Sequence, residues 1–228
     1  MNRRVDESGV SQMSGNEDRI ARELLDRAGT TYAAEAGISL ADKPAPLFQL
    51  LVLAQLMSAR ITADIAVAAA RELRSSGYRT PQRVAEAEWQ DLVDALGRGH
   101  YRRYDESTAT RLGENATILL DRYHGDLRKL ADEADRDPDR LAELLQQFKG
   151  IGPTGAEIFL REVQDVWTWV RPHFDDRARR GADLLHLSTD PKRLDRLGRS
   201  GHDAELAAAL VRVSLDKDLA DQVLAAAG

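Results

Sequence analysis

With 228 residues, 43% of them hydrophobic and 31% charged, the chain has an ordinary globular make-up and is long enough to bury a self-sufficient core. No apolar run approaches the roughly 20 residues of a membrane-spanning helix, and the absence of cysteine excludes disulfides, thiolate zinc sites and a cysteine-ligated iron–sulfur cluster. The formal charge of -6 weighs weakly against nucleic acid, whose phosphates are bound by clustered Lys and Arg.

Residues 1–16 are polar, rich in Ser, Gly and Asn and without periodicity, which predicts a disordered lead-in. Its arginines are not followed by an apolar stretch, so it is not a secretory signal and a cytoplasmic location is expected. Over 17–36, Ile20, Leu24, Leu25 and Ala28 recur at helical spacing, and Gly29 and Gly37 supply stops; one or two short helices fit. The stretch DKPAP (42–46) breaks structure and introduces LFQLLVLAQLMSA (47–59), apolar nearly all round and therefore expected as the buried central helix. A helix from Thr62 to Arg74 ends at SSG (75–77), and Thr80 with Pro81 opens the next in N-cap and first-turn order. Helices follow at 88–96, 107–123, 127–134, 138–148 and 154–163, with Gly97, Gly125 and Gly150 marking ends, then at 176–185, 204–213 and 217–227. Period-two strand patterns and internal repeats are missing, so the expected class is all-α.

Cations cluster in two places. Arg98, Arg102, Arg103 and Arg111 face Asp105 and Glu106 in sequence, and residues 171–180 hold four arginines against two aspartates. Each cluster has a plain alternative, that arginine is simply the preferred cation of a chain with five lysines.

The string LLQQFKGIGPTGA (144–156) joins two helices through a hairpin of pattern apolar-x-Gly-apolar-Gly. Gly150 and Gly152 permit positive φ and close approach of a ligand, Ile151 plugs the hairpin into the core, and Pro153 starts the second helix. The amides of this turn are then expected to point outward as a sequence-independent phosphate clamp, with Lys149 as a point charge and Thr154 and Gly155 in the first helical turn. An ordinary αα-turn with glycines is the competing reading; Ala156 and the flanking helices favour DNA.

On these residues the sequence resembles the helix-hairpin-helix (HhH-GPD) base-excision DNA glycosylases, of the endonuclease III type, over roughly 46–187. LMSAR (56–60) looks like the family's core helix ending in a Ser-Ala-Gln segment, and ALGRG (95–99) followed by 111–123 is similar to its loop and succeeding helix. The resemblance implies a two-domain helical fold: a central barrel at 46–163, and a second domain from 17–45 together with 164–228, with a base pocket between the two. It also implies double-stranded DNA as partner, a nucleoid-associated location, and a nucleotide flipped out of the stack. Arg60 stands at the position of the gap-filling glutamine. Tyr101 lies where an apolar wedge is inserted, with a partly buried anchor as the competing role, and Arg102 and Arg103 would track the strand unless they are ordinary solvated charge. The hairpin in this family often holds a monovalent cation through carbonyl oxygens, so potassium or sodium is an expectation there; no other cofactor and no metal site is expected.

The family's indispensable aspartate starts a helix after an apolar residue. Phe174-Asp175 matches, with Asp176 as the adjacent candidate, and either carboxylate could stabilise the sugar cation or activate water. The competing role is an N-cap, and the two roles can coexist. His173 is a candidate acid or base, though a histidine beside a proline is more often structural.

The pattern departs from the family in three ways. The lysine that forms a Schiff base two residues beyond the second hairpin glycine is Thr154 here, which disfavours lyase chemistry. The four cluster-binding cysteines are missing. The linker to the aspartate, with Trp167 and Trp169 expected to pack the seam between domains, is longer. Three functions remain open from the residues: a monofunctional glycosylase, a non-catalytic DNA-binding or damage-recognition protein, and a helical interaction module without DNA affinity.

Overall fold

The computed structural model describes the backbone of residues 7–198 and 201–228 and the side chains of 15–198 and 201–228. Among these residues the secondary structure is helical and no strand occurs, so the chain is all-α. No described helix is long and apolar enough to cross a membrane. The chain divides into two compact units, Tyr32–Arg171 and Met1–Thr31 with Pro172–Gly228.

The unit Tyr32–Arg171 is organised on α3 (Pro44–Met57). Pro44 occupies its first turn, where a missing N–H costs nothing, so the expected break at 42–46 is the helix start itself. Every residue from Leu50 to Leu56 is buried, as an all-round apolar helix must be. Around it lie α4 (Ala63–Ser75), α8 (Leu127–Glu133) and α10 (Pro153–Val163). The helices α5 (Pro81–Ala85) and α6 (Trp89–Arg98) rest on α7 (Asp105–Tyr123), and α9 (Pro138–Leu145) leads into the hairpin.

This unit takes in 32–45 and 164–171, which the sequence boundaries place in the other domain. Polar ties and ring contacts explain it. Ala33 N–H of α2 (Tyr32–Glu35) donates to the buried Glu162 carboxylate of α10 at 2.8 Å. Trp167 packs on Phe159 with centroids 5.8 Å apart, stacks on Trp169 at 5.5 Å, and donates Nε1–H to Asp42.

The other unit contains α1 (Glu7–Ala28), α11 (Asp176–Leu184), α12 (Pro191–Leu197), α13 (Asp203–Leu215) and α14 (Lys217–Ala227). α1 packs on α13 and α14 through Ile20, Leu24 and Ala28 among its buried positions, and α11 lies along α13. The expected lead-in at 1–16 lies partly outside the described residues, at 1–6. From Glu7 onward it is helix, because extending an existing helix is far cheaper than nucleating one.

Caps set the loops. Asp126 caps α8, accepting the Arg128 N–H at 3.0 Å while its carboxylate also holds the Arg128 guanidinium. Those Arg128 hydrogen bonds hold the Asp126 carboxyl below the usual carboxylate range, against the upward push of burial. With the folded pKa below the unfolded one, this stabilisation is present above about pH 4 and is lost as the pH falls through the depressed folded value. Asp126→Ala is therefore expected to cost about 1 kcal/mol at neutral pH, a deficit that shrinks on acidification. Urea melts of both proteins at neutral and acid pH measure it.

Candidate functional site

Between the end of α9 at Leu145 and the start of α10 at Pro153 the chain makes the hairpin. Phe148 and Ile151 are buried and anchor it from below. Gly150 has φ +83°, the left-handed region that glycine enters without strain. Gly152 does not: at φ -99°, ψ -168° it is extended, so the expectation that both glycines need positive φ holds for the first alone. A side chain at Gly152 would meet no atom within 4 Å, so nothing inside the unit requires glycine there. Gly155 is demanded by packing: a Cβ would overlap Ser58 Oγ at the end of α3 and lie 3.1 Å from Ile151 Cγ2.

The hairpin amides divide into spent and unspent. Ile151 N–H donates to the Phe148 carbonyl at 3.1 Å, and Lys149 N–H donates to Asn115 Oδ1 at 2.7 Å. These two therefore do not point outward as expected, because a turn this tight closes on its own carbonyl and on the neighbouring helix. The amides of Gly152, Thr154 and Gly155 have no hydrogen-bond acceptor among the described residues, as the first turn of a helix dictates.

Asn115, buried in the middle of α7, grips Lys149 at both its backbone groups. Besides accepting the N–H, it donates Nδ2–H to the Lys149 carbonyl at 2.9 Å and to Gln55 Oε1 at 2.9 Å. Gln55 is itself buried on α3, and its Nε2 has no partner among the described residues. The sequence reading did not single out either residue. Their signal was a polar residue on an apolar face: Asn115 falls on the stripe Leu112, Ala116, Leu119, and Gln55 sits inside an otherwise apolar helix.

Two cations, Lys149 and Arg111, lie at the turn. Lys149 Nζ pairs with Glu114 Oε1 at 2.7 Å, both exposed enough that the pair is worth little. Arg111 lies over Gly150, where a Cβ would be 3.2 Å from its Cδ. Arg60 is exposed beyond the end of α3, and Arg102 and Arg103 are exposed ahead of α7, with Arg103 Cζ 5.3 Å from the Tyr104 ring centroid. Tyr101 departs from its expected place as a wedge. It is 2% exposed, anchored in the core, and burial pushes its hydroxyl pKa up while the Thr108 hydrogen bond and the Arg111 charge pull it back. The apolar ring is worth more inside than projecting into water. Thr154 is exposed and presents a hydroxyl, not an amine.

Asp175 and Asp176 belong to the other unit. Asp175 is 8% exposed and is the N-cap of α11, accepting the Ala178 N–H at 2.8 Å, with the buried Phe174 before it. Asp176 is the first helical residue, exposed and ion-paired with Arg179. The two neighbours thus have different environments: one is sequestered and capping, the other solvated. His173 is half-buried.

Among the described residues no group of His, Asp or Glu could hold a metal ion. With no cysteine in the chain, a thiolate-bound iron–sulfur cluster does not fit the residues present. No family model matches the sequence, and no curated protein does. Among solved structures, endonuclease III trapped as a covalent intermediate with DNA, in an estranged-adenine complex, is similar at 19% identity with a TM-score of 0.45, over 84% of this chain and 83% of that one.

Proposed function

We propose that this chain is a DNA-binding base-excision repair protein of the helix-hairpin-helix glycosylase type, acting on double-stranded DNA as a monofunctional glycosylase that hydrolyses the N-glycosidic bond of a flipped base. The observation that carries the DNA reading is the hairpin: the unspent amides of Gly152, Thr154 and Gly155 open α10, beside a glycine whose missing side chain leaves open space. Such amides, with the helix dipole behind them, hold a phosphate irrespective of sequence. Arg60, Arg102, Arg103, Arg111 and Lys149 supply the diffuse attraction that a chain of net charge -6 needs to concentrate locally. The carbonyls of Gly150 and Ile151 accept no hydrogen bond among the described residues and are the ligands assigned to a monovalent cation, which would add positive charge at the turn.

For the chemistry, the Asp175 carboxylate is assigned to stabilise the positive charge that builds on the sugar as the base leaves, and to orient the attacking water. Its hydrogen bond to Ala178 N–H fixes the direction of the group. Thr154 offers no amine for a Schiff base, so the reading is hydrolysis without strand cleavage.

The hairpin is tested with Gly152→Ala. The extended backbone and open space accept a methyl group, so melting should be unchanged, whereas binding to a short DNA duplex should weaken about tenfold because the phosphate can no longer approach. Wild-type binding should fall steeply with added salt. Binding that is absent, or flat with salt, would leave a helical interaction module in place of a DNA protein.

A further inference from the structure

We propose that Asn115 is a positioning residue for the hairpin, held in its working orientation by Gln55, and that this buried amide pair sets how the α10 amides meet the DNA backbone. The inference rests on the DNA-binding role above and deepens it. Asn115 satisfies both backbone groups of Lys149, the N–H at 2.7 Å and the carbonyl at 2.9 Å. The peptide planes on either side of Lys149 are thereby fixed, and with them the entry into the left-handed Gly150. The grip comes from the middle of α7, a helix of 19 residues, so the turn is referenced to a rigid element and not to its own loop.

Gln55 ties the Asn115 amide to the core helix. The Lys149 N–H and carbonyl fix which end of the Asn115 amide faces which group, and Gln55 Oε1 accepts the second Asn115 Nδ2–H at 2.9 Å, so the plane of that amide is tied to α3 as well. The cost is visible: Gln55 Nε2 is buried with no partner among the described residues. An apolar residue at Gln55 would pack α3 without that orphan. A polar group retained at a stability cost, in contact with the group that orients the turn, is the pattern expected where position matters more than packing.

The test compares Asn115→Leu, Gln55→Met and Val84→Ala in the full chain, reading melting, binding to an unmodified duplex, and hydrogen exchange at the Lys149 amide. Val84 is a buried residue of α5 that takes no part in the Asn115, Gln55 and Lys149 hydrogen bonds, and it serves as the destabilising control. Asn115→Leu should weaken binding about tenfold and expose the Lys149 amide to exchange, because the Lys149 backbone groups lose their partners. Val84→Ala should lower the melting temperature yet bind as wild type. Gln55→Met removes the orphan donor together with the group that aligns Asn115, so it should weaken binding about threefold with no loss of melting temperature, an outcome that a merely structural role does not produce. Should Asn115→Leu not fold, Gln55→Met decides alone. Unchanged binding in these variants, or equal weakening by Val84→Ala, overturns the positioning role and leaves the DNA reading intact; no binding by the wild-type chain overturns the DNA reading itself.

Discussion

Replacing Gly181 by alanine is expected to destabilise the unit built from α1 and α11 to α14, lowering its melting temperature by at least about 10 °C. A Cβ at Gly181 would overlap the Leu210 carbonyl oxygen and lie 2.7 Å from the Leu210 carbonyl carbon. Both are backbone atoms of α13, so no rotamer change relieves the clash, and the two helices must separate along the contact that organises the unit. Overpacking usually costs about 1–3 kcal/mol, and a clash with backbone belongs at or above the top of that range. Gly113→Ala gives the contrast. Gly113 lies inside α7 with no atom within 4 Å of the added methyl, so the gain in helix propensity should raise stability by about 0.5–1 kcal/mol. Calorimetry on the pair separates a close approach from a glycine that nothing requires.

The second large effect is chemical. Asp175→Asn should lower base release by roughly two to four orders of magnitude while leaving melting and duplex binding nearly unchanged. The separation is clean because asparagine caps a helix as well as aspartate does, so the Ala178 N–H keeps its acceptor and what disappears is the charge. Asp176→Asn removes an exposed pair with Arg179, worth at most about 1 kcal/mol, and should leave base release intact. The assay is single-turnover release from duplexes carrying oxidised, alkylated, deaminated and mismatched bases, with borohydride added in parallel. With Thr154 at the hairpin, no trapped adduct should form. Base release equal in Asp175→Asn and wild type would move the chemistry away from this residue. No release from any duplex at enzyme excess, with binding retained, would select the non-catalytic damage-recognition alternative.

Most helices, the Thr80 cap and the position of the hairpin were legible in the sequence because each is a local event. Thr80-Pro81 and Pro153 announce helix starts, the run 47–59 declares its own burial, and Gly150 marks a turn whose positive φ follows from neighbouring residues alone. What the tertiary structure decided is everything that depends on residues distant in the chain. Asn115, Gln55 and Lys149 meet across separations of 60 and 34 residues. The packing reason for Gly155 lies in Ser58, and that for Gly181 in Leu210. Tyr101 stands where a wedge is inserted, and only the surrounding helices that close over it make it an anchor. Short-range sterics and hydrogen bonding write helix and turn into a segment of ten residues or so, whereas which buried amide holds which turn, and which glycine faces another backbone, is set by close packing between helices that periodicity does not encode.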